Sequence, residues 1–152
     1  MAEIEAKMAT FALARAPDTL LARGIGSCVI VMAYCREKKS GGMLHAMLPE
    51  KGNAHDEDAK YADSGIDTLF SALSRQGMPV RSLEVKIAGG ANMFPGMSLQ
   101  PRMQIGQRNI ESAKKKLAGL GAKLTGEDVG GSKGRTILFS LSTGKVDVQT
   151  SI

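Results

Sequence analysis

The sequence predicts a mixed α/β (α+β) domain, with a sandwich-like β-sheet core covered by two or three helices. Strand-type segments outnumber helical ones, and the two segments with helical periodicity each fall between strands. The 152 residues suit one domain spanning 1–152, large enough to bury a core without disulfide or metal staples. A hydrophobic content of 43% and a charged content of 23% are those of a globular chain.

Residues 8–15 and 19–23 read as short strands joined by a turn at Ala16-Pro17-Asp18. The continuous apolar run at 28–34, rich in β-branched residues, predicts a strand buried on both faces. Residues 38–42 turn the chain, and 43–48 form the partner strand that carries His45. A polar, acidic loop follows at 52–60, with Asp58 as the candidate N-cap of the next helix. Across 61–76, Ile66, Leu69, Phe70 and Leu73 recur at spacings of three and four, the stripe of an amphipathic helix. Gly77 and Pro79 end it.

Residues 83–88 predict a strand closed by Gly89-Gly90. The segment 91–106 is irregular, with Pro95, Pro101 and three methionines, Met93, Met97 and Met103. A second helix is expected at 107–120, stopped by Gly121. The chain finishes with 122–129, a Gly130-Gly131 turn, and a hairpin of 135–141 and 145–150 around Ser142-Thr143-Gly144.

Composition excludes several classes. The net charge of +5 invites a nucleic-acid partner, yet aromatics total 4% with no Trp, and none interleave with basic residues. An acidic protein partner is the better use of the surplus. No apolar run approaches the roughly 20 residues that span a bilayer, so no membrane insertion is expected. The N-terminus carries Glu3 and Glu5 where a signal peptide is basic, and a cytoplasmic location is expected. Two cysteines, Cys28 and Cys35, complete neither a zinc ligand set nor a Cys-x-x-Cys motif. Seven positions apart on one strand, they would face opposite sides of the sheet.

The chemistry concentrates in Gly24-Ile25-Gly26-Ser27-Cys28 and in His45. A thiol directly after a glycine-bracketed turn, with an imidazole one strand–turn–strand excursion later, is the pattern of a cysteine nucleophile and its base. Main-chain N–H groups at Gly26 and Ser27 are candidates for the oxyanion site that acyl transfer needs. Ser27 itself fails the Gly-x-Ser-x-Gly elbow, and the glycine run lacks both a dinucleotide fingerprint and a P-loop lysine. His55, among Asp56, Glu57 and Asp58, reads as solvated. No metal site and no cofactor are expected.

Several ordered motifs make the reading more specific. They are 24–31 (GIGSCVIV), 45–49 (HAMLP), 60–63 (KYAD), 86–94 (KIAGGANMF), 105–109 (IGQRN) and 127–131 (EDVGG), with Arg135 soon after. In this order, over nearly the whole chain, they resemble the chemoreceptor glutamine deamidase family, CheD. The resemblance implies a fold related to the deamidase toxins of the cytotoxic necrotizing factor type. It also implies hydrolysis of selected receptor glutamines to glutamate, with receptor methylesterase activity alongside. Cys28 falls on the family nucleophile and His45 on its general base. Family members often carry a threonine at the position of Ala22, so Ala22 is expected to offer its main-chain carbonyl to the imidazole instead. Chemoreceptor cytoplasmic helices are the implied partners, with a CheC-type chemotaxis phosphatase as a second. Phe94 and Met93 are candidates for the partner surface. Two further readings stay open: a catalytically weak receptor- or phosphatase-binding module, and a general cysteine hydrolase of small amides or esters.

Overall fold

The computed structural model describes residues 1–93 and 104–150. Nine strands form two sheets in the described residues, and two α-helices cover one of them. In chain order the strands are β1 (Glu3–Glu5), β2 (Thr10–Arg15), β3 (Thr19–Ile25), β4 (Val29–Cys35), β5 (Ser40–Ala46), β6 (Glu84–Gly89), β7 (Lys123–Val129), β8 (Arg135–Ser140) and β9 (Val146–Thr150). Helix α1 is Ala62–Arg75 and α2 is Ile105–Gly119. The four-stranded sheet runs β1-β3-β8-β9 and the five-stranded sheet β2-β5-β4-β6-β7.

Three layers follow from the alternation of side chains along β4, every residue of which is buried. Val29, Val31, Ala33 and Cys35 face the helices, where they meet Ile66, Leu69, Leu73, Ile110 and Leu117. Ile30, Met32 and Tyr34 face the other sheet, where they meet Leu20, Ile25, Ile137 and Phe139. The strand is central and apolar on both sides because both of its faces lie in a core. Tyr34 completes its burial by donating its hydroxyl to the Leu141 carbonyl at 2.9 Å.

The sheet core, the sandwich and the helical cover all stand as the sequence predicts. The turn at Ala16-Pro17-Asp18 carries the chain from one sheet to the other, since β2 pairs with β5 and β3 with β8. Asp58 differs from expectation. It opens a short 3₁₀ turn, Asp58–Lys60, and the N-cap of α1 is Tyr61, which makes no side-chain cap. The first turn is instead tied back through Ser64 Oγ, which donates to the Asp58 carbonyl at 2.7 Å. Strand β1 has no counterpart in the sequence reading. Its pattern is too short to register, and it forms by adding in parallel to β3, Ile4 opposite Leu20. No helix among the described residues is long and apolar enough to cross a membrane.

Candidate active site

Cys28 lies between the end of β3 and the start of β4, where the chain crosses from the four-stranded sheet to the five-stranded one. A register shift between Ala22 and Ile25 bends β3 just before it, at Gly24 with φ +66°. A side chain at Gly24 would be strained, so the bulge depends on glycine.

Three successive carbonyls of the turn are then each held by a donor. The Gly26 carbonyl accepts from Ala91 N–H at 2.9 Å, and the Cys28 carbonyl from Gly90 N–H at 2.8 Å. The Ser27 carbonyl accepts from the side-chain amide of Asn109 at 2.9 Å. The chain after β6 approaches so closely that a Cβ at Gly89 would overlap the Cys28 carbonyl oxygen. No backbone carbonyl among the described residues accepts from the N–H of Gly26, Ser27 or Cys28. Those groups remain as donors.

His45 sits opposite Ile30 in the β4–β5 ladder, so its ring is on the inter-sheet face with Met43. The half-buried Cys28 packs against the same inter-sheet cluster, with Ile30 and Ile25. Thiol and imidazole thus share one face. The buried ring places Nδ1 3.1 Å from the Ala6 carbonyl oxygen. A carbonyl only accepts, so Nδ1 carries the proton and Nε2 is left with its lone pair. Nε2 is buried and has no hydrogen-bond partner among the described residues, the thiol included.

Burial sets the protonation states of both groups. Desolvation pushes the Cys28 thiol above its ordinary range, against a smaller pull downward from its own main-chain N–H. Desolvation also pushes His45 below the ordinary histidine value, against the Ala6 carbonyl and the Glu5 carboxylate, which favour the imidazolium. The resting pair is therefore a neutral thiol and a neutral imidazole. Such a pair suits transfer of the proton to Nε2 during attack on an electrophile, rather than a standing ion pair.

Arg135, almost wholly buried, closes the same end of the sandwich. It donates to the Gly130 carbonyl at 2.9 Å, to the Gly89 carbonyl at 3.4 Å, and through Nε and Nη2 to Asp128. Gly130 N–H returns to the Gly89 carbonyl at 2.9 Å. One guanidinium thereby fixes the segment against which the Cys28 turn rests.

One sequence expectation is corrected here. The acceptor for the imidazole is the carbonyl of Ala6, not that of Ala22. Ala22 is buried in β3, paired with Ile137 in the other sheet. Gly26 and Ser27 do lie in the turn beside Cys28, with free N–H groups as described. Met93 is 43% exposed, and its side chain reaches to 3.4 Å from where a Cβ on Gly26 would sit. It is thus an exposed apolar group directly over the turn. Phe94 lies outside the described residues. Cys35 faces the helices, on the opposite side of β4 from the thiol of Cys28. Of the acidic loop, Asp56 is engaged by Lys60 and Tyr61, and Asp58 by Lys51.

Two participants escaped the sequence reading as individuals. Ala6 acts through its backbone, which leaves no trace in side-chain identity. Asn109 did leave a signal. It stands on the buried stripe of α2 with Gly106, Ile110, Ala113 and Leu117, and is the one polar side chain there. A fully buried asparagine on an apolar stripe implies carbonyls to satisfy.

Comparison with known proteins places the chain in a family. The profile described as CheD chemotactic sensory transduction matches residues 47–150. The chain is 43% identical over 150 residues to the chemoreceptor glutamine deamidase CheD of Halalkalibacterium halodurans, covering 97% of this chain and 93% of the relative. It is 41% identical over 139 residues to that of Thermotoga maritima, covering 91% and 86%. With the probable chemoreceptor glutamine deamidase CheD of Desulforamulus reducens the identity is 38% over 151 residues, covering 98% and 91%. The chain belongs to the CheD family.

Proposed function

We propose that this protein is a protein-glutamine deamidase of chemotaxis, hydrolysing side-chain amides of selected chemoreceptor glutamines to glutamate through Cys28 and His45. The observation that carries the reading is the imidazole of His45. Its Nδ1 is committed to Ala6, and its Nε2 is bare on the face it shares with Cys28. The names of the relatives supply the substrate class.

In this mechanism Nε2 takes the thiol proton as Sγ attacks the carboxamide carbon. The carbonyl electron pair moves onto oxygen, which the N–H groups of Ser27 and Cys28 receive. One well-placed donor of this kind contributes roughly 3 kcal/mol to the transition state. The imidazolium returns its proton to the departing ammonia. Water, deprotonated by the same Nε2, then hydrolyses the thioester and frees glutamate and Cys28. A methyl-glutamate ester would pass through the same thioester with methanol as the leaving group, which is the basis for methylesterase activity.

The substrate glutamine stands on a receptor helix, so the site must be reached from an open surface. Met93 above Gly26 is the part of that surface the structure describes, and it suits a receptor helix or a CheC-type phosphatase docking in its place. A receptor cytoplasmic helix as substrate supports a cytoplasmic location for the protein, working as one domain over 1–152.

The alanine at position 22, buried in β3 where family members often carry a threonine, favours a second reading: a catalytically weak module that binds receptor or phosphatase. One experiment separates the two. A receptor cytoplasmic fragment is incubated with wild type or Cys28→Ala and its peptides are weighed. Each deamidation adds about 1 Da, an amide becoming an acid by nucleophilic hydrolysis. Gains at defined glutamines with wild type alone support the enzyme. Binding without any gain supports the module.

A further inference from the structure

Asn109 donates hydrogen bonds to both halves of the site from behind. Its amide nitrogen donates to the Ser27 carbonyl at 2.9 Å and to the Met47 carbonyl at 3.0 Å. Ser27 immediately precedes Cys28, and Met47 follows His45 by two. The β4–β5 ladder ends at Val29 opposite Ala46. Beyond that rung the strands part: the Cys28 carbonyl turns to Gly90, and the N–H of Met47 turns to the Lys60 carbonyl. Asn109, fully buried on α2, stands in the fork and holds it with both amide hydrogens.

The consequence for Cys28 follows from the planarity of the peptide bond. In a trans peptide the C=O and N–H point in opposite directions. The carbonyl of Ser27 and the N–H of Cys28 belong to one peptide unit. Drawing the carbonyl inward to α2 therefore aims the Cys28 N–H outward, away from the helix and beside its own thiol. The Gly26 carbonyl, drawn inward by Ala91 N–H, orients the Ser27 N–H in the same way. The two donors differ in how they are held. Ser27 is aimed by backbone, whereas Cys28 is aimed by a side chain.

We propose that Asn109 is a positioning residue for the deamidase reaction: by fixing the Ser27–Cys28 peptide plane it aims the Cys28 N–H at the oxyanion. This rests on the reading of Cys28 as the nucleophile. In the step concerned, the S–C bond forms, the carbonyl π pair becomes the oxyanion, and the thiol proton passes to His45. The Asn109 carbonyl oxygen, buried with no partner among the described residues, has no such assignment. Its nitrogen accounts for an amide side chain in an otherwise apolar stripe.

Asn109→Asp, which when ionised only accepts hydrogen bonds, and Asn109→Leu, which has no donor, test this in the full-length chain. Three rates are read in each variant and in wild type: receptor deamidation, acylation of Cys28 by p-nitrophenyl acetate, and alkylation of Cys28 by iodoacetamide. Acylation passes through an oxyanion, whereas alkylation at a saturated carbon does not. The expected result is a fall of about a hundredfold in kcat and in the acylation rate. KM should stay within about threefold, and the alkylation rate and its pH profile within about twofold. Buried Cys35 serves as the folding reporter and should stay unlabelled.

An unchanged ratio of acylation to alkylation in the variants overturns the proposal. So does labelling of Cys35 in both, which would make Asn109 a fold-closing residue. A wild type that deamidates no receptor, while the ratio still falls in the variants, removes the deamidase reading and leaves the assignment of Asn109 standing.

Discussion

The imidazole of His45 reaches across to the carbonyl of Ala6, 39 residues earlier in the chain, with Nδ1 and oxygen 3.1 Å apart. A main-chain atom here does the work of fixing the tautomer, which side chains do in many other sites. Removing residues 1–6 takes away that acceptor while leaving Cys28 and His45 in place. The expected loss in kcat is about 10²-fold, the lower end of what a general base supplies. Steady-state kinetics of the shortened chain, with its folding confirmed by circular dichroism, measure it. Full activity would mean that another group orients the ring.

The buried, neutral pair sets the pH dependence. His45 is shifted downward, so the acid limb of kcat/KM should fall below the ordinary histidine value of about 6.5. Cys28 is shifted upward, so its alkylation by iodoacetamide should keep rising beyond the ordinary thiol value of about 8.5. An alkylation rate already flat at neutral pH would reveal a preformed thiolate–imidazolium pair. The same downward shift means the unfolded chain binds the histidine proton more readily than the folded one. That stability is present above about 6.5 and is lost as pH falls through the folded value, which an acid series of thermal melts would show.

Gly89→Ala and Gly119→Ala make a matched pair. At Gly89, φ is +102° and a Cβ would overlap the Cys28 carbonyl, so both backbone and site must shift. A destabilisation of about 2 kcal/mol or more is expected, with kcat lowered. At Gly119 a Cβ meets nothing within 4 Å at the end of α2, so alanine should be neutral to stabilising, by up to about 1 kcal/mol. Urea melts of the two variants check the contrast in sign.

Arg135→Leu strands the Gly130 carbonyl that the buried guanidinium now satisfies, and leaves the Gly89 carbonyl with the Gly130 N–H alone. The expected cost is about 3 kcal/mol, with loosening of the segment behind Cys28. Asp128→Asn should cost less, about 1 kcal/mol, because Asp128 is 54% exposed and its charge is screened. Equal losses in the two variants would place the energy in the ion pair rather than in the carbonyls.

The sheet core was legible because β4 is apolar at every position and α1 repeats its apolar residues at three and four. Those patterns arise directly from burial. Cys28 and His45 could be put forward from the sequence because reactive side chains are themselves letters of it, and the structure sets both on the inter-sheet face. What escaped is what backbone atoms decide: the pairing of β1 with β3, the acceptor at Ala6, and the switch between sheets after β2. Expecting Ala22 to take the place of a hydroxyl assumed that the carbonyl at that position is the one the ring meets. The carbonyl that meets the ring comes instead from the turn after β1, a strand too short to leave a pattern.

The central claim is that Cys28 attacks a receptor glutamine and carries it as a thioester. The most direct test is intact-mass measurement of the protein, acid-quenched within milliseconds of mixing with a glutamine-containing receptor peptide. The account predicts a transient adduct on Cys28 equal to the peptide less about 17 Da, the mass of the ammonia expelled on acyl transfer. The adduct should be absent from Cys28→Ala and slow to form in His45→Ala. Glutamate appearing in the peptide with Cys28→Ala, or with wild type alkylated at Cys28, would contradict the account.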